Sequence, residues 1–373
     1  MIVSAVFPSR YIQGREALQE MKHHLAALGG SAMLVVDPGI AEWMMPRTIK
    51  AIAGAVELEF FDFAGEPEEN EMRRLAAAVA ARGCDMVIGI GGGKAIDTAK
   101  GGVHFCGTAT LVVVPTIVAS DAPCSKNAVV YAADHSVMGS LHGRANPALV
   151  VVDTQIIAAA PSRFLSSGVA DGLATWFEAR SSIAAGRCNF TGYRATCTAR
   201  AIARQCYDTL ISQGPTALLH CDIGLASPAL EEVVEATTLM STIGFESGGL
   251  AAAHGFHQGL SEWQETCELL HGEKVAFGLL ASLFLINESK DVIDETFEFF
   301  RAMRLPLTFS DLGVENPTDD KLRIAVRRMM KPGECTFNEP LEYEEYDYLS
   351  AMQAADQYGR ALRTGSVSLS PRG

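Results

Sequence analysis

The chain has 373 residues, 48% of them hydrophobic and 20% charged, with a formal net charge of −14. That length can fill a core for two domains, and so acidic a surface repels nucleic acid and anionic membranes, so neither is an expected partner. The N-terminus has no basic segment followed by a long apolar one, no apolar run reaches bilayer length, and nine scattered cysteines form no CxxC pair; the expectation is a cytoplasmic protein with free thiols.

The first 160 residues alternate helical patterns with short β-rich runs. A helical pattern over 14–28 leads to a strand over 33–37, and one over 41–54 to a strand over 56–61. A third helix over 67–81 precedes a strand over 85–90, and a fourth over 94–103 precedes a strand over 110–114. Several strands are apolar throughout, which predicts a parallel sheet covered on both faces. Residues 129–131 and 136–138 suit a hairpin, and 149–153 one more buried strand. Beyond Pro161 strand-like runs nearly vanish, and helical spacing predicts segments 162–183, 190–212, 228–247, 248–260, 271–287, 291–302, 318–329 and 345–362. The expected organisation is an α/β Rossmann-like parallel-sheet domain over 1–161 and an all-α domain over 162–373. The Ser/Pro/Gly-rich tail from Thr364 is expected to fray.

The strand over 85–90 runs into Gly91-Gly92-Gly93-Lys94. Glycines at a strand-to-helix turn let backbone N–H groups approach a phosphate, and a helix N-terminus favours negative charge. The loop is not a P-loop, because Ala95 follows Lys94, and Ile88 stands where the first P-loop glycine belongs. Nor is it GxGxxG, because Lys94 fills the third glycine position. Three consecutive glycines followed by Lys favour a pyrophosphate cradle over a plain tight turn. Asp37 ends the first predicted strand, where a carboxylate can bind a ribose 2′-OH and repel a 2′-phosphate; the same residue also suits a simple turn before Pro38-Gly39.

In the helical half, Asp171 sits near the start of an apolar helix, and His254, His257 and His271 follow. A carboxylate and two imidazoles suit a catalytic divalent metal with a coordination position left for substrate. Singly, each histidine reads more readily as a core or surface residue and Asp171 as a first-turn carboxylate. On one continuous helix, His254 and His271 would lie about 25 Å apart. They can share a metal only if residues 261–270, which lack Gly and Pro, turn the chain back. His257, one i+3 step from His254, suits a group beside the ligands or the substrate.

Together these segments resemble the glycerol dehydrogenases, a branch of the iron-containing alcohol dehydrogenase superfamily. The resemblance covers nearly the whole chain. It is carried by Gly89–Lys94 with Asp97 and Lys100, by 115–125 with its Asp121-Ala122-Pro123-Cys124-Ser125, by Asp171 with 174–179, by 244–250 before His254, and by 271–276. It implies a cleft between the two domains and Zn²⁺ on Asp171, His254 and His271, with Fe²⁺ or Mn²⁺ also accepted by such ligands. It implies NAD contacts from Asp37, Gly91, Gly92, Gly93, Lys94, Asp97, Thr116, Ser125, Asn127 and Tyr131. It places Asp121 beside a small polyol, and it implies a homo-oligomer, an octamer in similar proteins; from its spacing to His254, His257 is the candidate for relaying the released proton. The implied reaction is NAD-dependent oxidation of glycerol to dihydroxyacetone, the alternative being another small diol, hydroxy acid or α-hydroxyketone. A phosphorylated substrate would need an Arg/Lys cluster near the metal, and 245–275 offers only Lys274. The chain departs from the family pattern at 117–120, Lys126, Asn127, 261–270 and 339–343; the last two segments are candidates for the substrate mouth.

Overall fold

The computed structural model describes residues 2–132 and 137–366. Six parallel strands form one sheet in the order β1–β8–β5–β4–β2–β3. They are β1 (Tyr11–Gly14), β2 (Ser31–Val36), β3 (Glu57–Phe61), β4 (Met86–Gly91), β5 (Thr110–Pro115) and β8 (Leu149–Asp153). β4 and β8 are buried throughout, as expected of parallel strands with both faces covered. On one face Leu34, Ile88, Val112 and Val151 pack with Leu18, Met21, Leu25 and Met44. The helices between strands are α1 (Lys22–Leu25), α2 (Ala41–Ala51), α3 (Glu69–Arg82) and α4 (Gly93–Cys106).

The hairpin is β6 (Asn127–Tyr131) against β7 (Val137–His142), antiparallel; Ser136, expected within it, lies outside the described residues. So does the tail beyond residue 366. The helix expected over 14–28 is replaced by a 3-10 turn, Ala17–Glu20, and the single turn α1. Glu16 is left-handed (φ 61°), and the buried Asp153 carboxylate accepts the N–H groups of Glu16 and Leu18, both at 3.3 Å. That long-range cap fixes a start which the local spacing does not show.

The remaining helices are α5 (Thr154–Ala158), α6 (Ser162–Ala184), α7 (Cys197–Asp222), α8 (Pro228–Glu235), α9 (Ser241–Gly248), α10 (Ala252–Leu260), α11 (His271–Leu285), α12 (Lys290–Ala302), α13 (Asp319–Met329) and α14 (Glu345–Thr364). The helix expected over 190–212 begins later and runs on through Pro215. The one expected over 228–247 is interrupted by a π-helical turn, Ala236–Met240. No helix among the described residues is long and apolar enough to cross a membrane.

The described residues form two compact units: those within Val6–Ser162 and His220–Thr242, and those within Met1–Ala5, Arg163–Leu219 and Ile243–Gly373. The sequence reading cuts the chain once, near Pro161. Contacts instead assign 220–242 to the sheet-bearing unit, where Gln13 on β1 donates to the Glu231 carbonyl and carboxylate, and Tyr11 pairs with Thr238 at 2.7 Å. Ser4 joins the helical unit through its N–H to the Arg194 carbonyl at 3.1 Å.

Candidate active site

Within the helical unit, three elements bring Asp171, His254 and His271 together. Asp171 lies on α6, His254 on α10, and His271 opens α11. The return between the last two is made without Gly or Pro. After α10, Ser261 Oγ donates to the His257 carbonyl, and Thr266 Oγ1 lies 2.8 and 2.9 Å from the Leu260 and Trp263 carbonyls. Trp263 is buried and donates its indole N–H to the Lys321 carbonyl. Buried side chains thus form a turn that composition does not announce.

Gly272 sets how closely α11 meets α6, since a Cβ there would lie 1.8 Å from the Ser167 carbonyl oxygen. Its N–H donates to the Ser167 hydroxyl oxygen at 3.1 Å. Glu273 reaches back to the Leu270 N–H at 2.8 Å and pairs with Arg163 at 2.6 Å. The start of α11 is therefore tied to α6 by the two residues that follow His271.

One ligand atom from each of Asp171, His254 and His271 lies within 4.8 Å of the others. Asp171 Oδ1 is 3.1 Å from His271 Nε2 and 3.4 Å from His254 Nε2. Two ligand atoms each ~2.1 Å from a tetrahedral ion stand roughly 3.4 Å apart, so the spacing and the donor set both fit a divalent metal. Asp171 is buried, while 39% of the His271 side chain is exposed, which leaves an approach for substrate. Burial pushes the Asp171 carboxyl up, but His271 and His254 beside it hold it well below the usual carboxylate range. Glu178, two turns after Asp171 on α6, accepts the backbone N–H groups of Ala251 and His254 and the His254 ring Nδ1–H. Burial pulls His254 down, but Glu178 and Asp171 together carry its pKa well above the usual histidine value. His257 is placed behind His271, with Nε2 3.0 Å from His271 Nδ1. Both histidines thus turn Nε2 toward Asp171 and are held at Nδ1, an arrangement that fixes tautomer and ring orientation.

In the sheet-bearing unit, Gly91 takes φ 147° and Gly92 caps α4. A Cβ on Gly91 would lie 2.7 Å from Asp37 Cβ, whereas one on Gly93 would meet nothing within 4 Å. Gly93 and Lys94 are exposed, so the first turn of α4 offers its N–H groups to solvent beside the Asp37 carboxylate, which accepts the Gly39 N–H at 2.9 Å. Lys94 pairs with Glu66 at 2.5 Å. Thr116 and Ser125 are buried. Lys100 Nζ, also buried, donates to the carbonyls of Ala122 and Asn127, both at 2.7 Å, and lies 3.6 Å from Asp97. Asn127 pairs through its side chain with His142 at 2.7 Å. The Tyr131 phenol is pushed up to about 12 by burial and by Asp97 and Glu66. Asp121 precedes the 3-10 turn Ala122–Cys124 without capping it, and its Oδ2 accepts the Ser241 hydroxyl at 2.7 Å.

A model of the iron-containing alcohol dehydrogenases matches residues 8–154. A glycerol dehydrogenase of Thermotoga maritima is 40% identical over 360 residues, which span 96% of this chain and 98% of that protein. The chain belongs to the iron-containing alcohol dehydrogenases. A glycolaldehyde reductase of Halobacterium salinarum is 38% identical over 95% of this chain and 98% of its own length. The crystal structure of glycerol dehydrogenase from Schizosaccharomyces pombe superposes with a TM-score of 0.93 at 32% identity, over 99% of this chain and 95% of that one. As a member of this family the protein is an oxidoreductase with an alcohol dehydrogenase fold, and its helical unit carries a candidate metal site.

For this alcohol dehydrogenase, sequence reasoning missed Glu178, although it falls within a quoted motif and its i+7 spacing from Asp171 puts both on one helix face. It also passed over Glu66, which pairs with Lys94, and Ser241 and Thr242, which bond Asp121. The 339–343 segment does not begin as a substrate-facing one: Glu339 is buried, and its carboxylate accepts the Ala252 N–H at 3.0 Å at the start of α10.

Proposed function

We propose that this protein oxidises glycerol to dihydroxyacetone with NAD, using a divalent metal, Zn²⁺ by preference, held by Asp171, His254 and His271. The observation that carries the reading is the convergence of one carboxylate and two Nε2 atoms within 4.8 Å in a chain so similar to glycerol dehydrogenases. A divalent ion there supplies Lewis acidity, which lowers the pKa of a hydroxyl brought to it.

The protein's own groups do the rest. Glu178 and His257 hold the two imidazoles in orientation. Asp121 accepts a further hydroxyl of the polyol. His257, whose Nε2 lies 3.0 Å from His271 Nδ1, is the group that relays the released proton. The first turn of α4, Gly91 to Lys94, receives the cofactor's pyrophosphate, and Asp37 its adenosine ribose. Asp97, Thr116, Ser125, Asn127 and Tyr131 complete the cofactor side. Assembly as a homo-oligomer and a cytoplasmic location belong to the same reading.

A second substrate reading rests on the similarity to a glycolaldehyde reductase, since a 2-hydroxyaldehyde presents the same pair of vicinal oxygens. The test is initial rates in both directions: NADH formation from NAD with glycerol, and NADH consumption with glycolaldehyde. Turnover of glycerol with a higher kcat/KM supports the proposal. Turnover of glycolaldehyde alone replaces glycerol with the hydroxyaldehyde.

A further inference from the structure

The π-helical turn Ala236–Met240 stands between α8 and α9, in a stretch whose sequence reads as one continuous helix. A π turn inserts one residue and rotates every side chain beyond it by roughly 100° about the axis. Such turns are costly enough to persist mainly where they aim a group at a site. Directly after this one come Ser241 and Thr242, both fully buried. Ser241 Oγ donates to Asp121 Oδ2 at 2.7 Å. Thr242 Oγ1 lies 2.5 Å from the Asp121 carbonyl and 2.8 Å from the Thr238 carbonyl. One hydroxyl thus sets the plane of the Asp121 carboxylate while the next fixes the main chain that carries it. Asp121 itself is only partly buried.

We propose that Ser241 and Thr242 are positioning residues, delivered by the π turn, that aim Asp121 at the third hydroxyl of a triol and so set preference for glycerol over a diol that lacks it. The inference rests on the reading of Asp121 as a polyol contact. A carboxylate free to rotate would still be present and charged, but it would no longer wait in the geometry that a hydroxyl donor needs. The loss therefore falls on the substrate with the extra hydroxyl and spares one without it.

The test compares glycerol with 1,2-propanediol as substrates of the metal-loaded enzyme, in the wild type and in Ser241→Ala, Thr242→Val and Thr242→Ser. Wild-type turnover of glycerol is measured first, and its absence would remove the underlying reading rather than the positioning role. Given that turnover, the proposal expects the glycerol to 1,2-propanediol ratio of kcat/KM to fall about tenfold in Ser241→Ala and Thr242→Val, the size of one lost hydrogen bond, mainly through KM for glycerol. Thr242→Ser restores the ratio. NAD affinity, read by NADH fluorescence, and the melting temperature of Ser241→Ala stay at wild-type values. Should Thr242→Val fail to fold, Ser241→Ala and Thr242→Ser carry the test. An unchanged ratio in Ser241→Ala, or an equal loss on both substrates, would overturn the proposal.

Discussion

Glu178 and His254 are joined twice: the carboxylate accepts the His254 backbone N–H at 2.8 Å and its ring Nδ1–H at 2.6 Å. One buried side chain therefore sets both the start of α10 and the direction in which the imidazole faces Asp171. Replacement by Gln keeps the shape and an acceptor but removes the charge. Groups that orient metal-bound histidines this way are worth about 10–100-fold in metal affinity. Glu178→Gln is expected to weaken Zn²⁺ binding by that factor in competition with a chromogenic chelator, with little loss of helix content by circular dichroism. Unchanged affinity would show that the bond caps a helix and does nothing for the metal.

Gly272 gives a sharper structural test. Alanine there drives a methyl group into the Ser167 carbonyl oxygen, and backbone on both sides cannot yield cheaply. Overpacking of this kind costs about 1–3 kcal/mol. Gly272→Ala should lower the melting temperature, and because His271 is the next residue it should also release metal more readily than a surface glycine substitution of equal stability cost.

Glu339 makes stability pH-dependent. Burial raises its pKa, against the lowering effect of the Ser181 and Ala252 bonds, and Glu178 adds to the rise. A carboxyl whose folded pKa lies above its unfolded value binds its proton more tightly when folded. Its contribution is present below the ordinary glutamate pKa and is lost as pH rises through the folded value. Glu339→Gln keeps an acceptor for Ala252 and abolishes this titration. Its melting temperature should exceed the wild type's at pH 8 and approach it at pH 4.5, as checked by calorimetry across that range. A constant offset at all pH values would contradict the assignment.

Asp37 bears on cofactor choice. Its carboxylate lies against Gly91 at the mouth of the glycine loop. Asp37→Ser retains an acceptor for the Gly39 N–H but removes the charge that repels a 2′-phosphate. The ratio of kcat/KM for NADP to that for NAD should rise about tenfold or more. No change in the ratio would move the discriminating group elsewhere.

The architecture is legible in sequence where burial imposes a simple pattern. β4, and β8 up to Val152, are apolar because parallel strands are covered on both faces, and β4 runs into the glycine loop as expected. The start of the 3-10 turn Ala17–Glu20, which leads into α1, is illegible because Asp153, far along the chain, supplies its cap. The late start of α7 follows from Asn189, whose amide donates to the Ser4 and Ser247 carbonyls and holds an irregular loop before the helix. Its extension through Pro215 runs against the local rule for proline. The triad of Asp171, His254 and His271 could be named residue by residue, yet the reversal that joins its two histidines rests on Trp263 and Thr266 burying themselves, which composition does not encode. The π turn before Ser241 leaves no trace in hydrophobic spacing, because Thr237, Thr238, Ser241 and Thr242 are buried there alongside the apolar residues, so no apolar stripe shifts where the extra residue is inserted.

The most direct test of the whole account is NADH formation from NAD and glycerol by the wild type and by Asp171→Asn, each as purified, after exhaustive chelation, and after Zn²⁺ is restored. The account predicts wild-type activity that vanishes on chelation and returns with Zn²⁺, and an Asp171→Asn protein that keeps its fold but loses turnover by about three orders of magnitude. Near-normal turnover by Asp171→Asn, or wild-type activity untouched by removal of all bound metal, would contradict it.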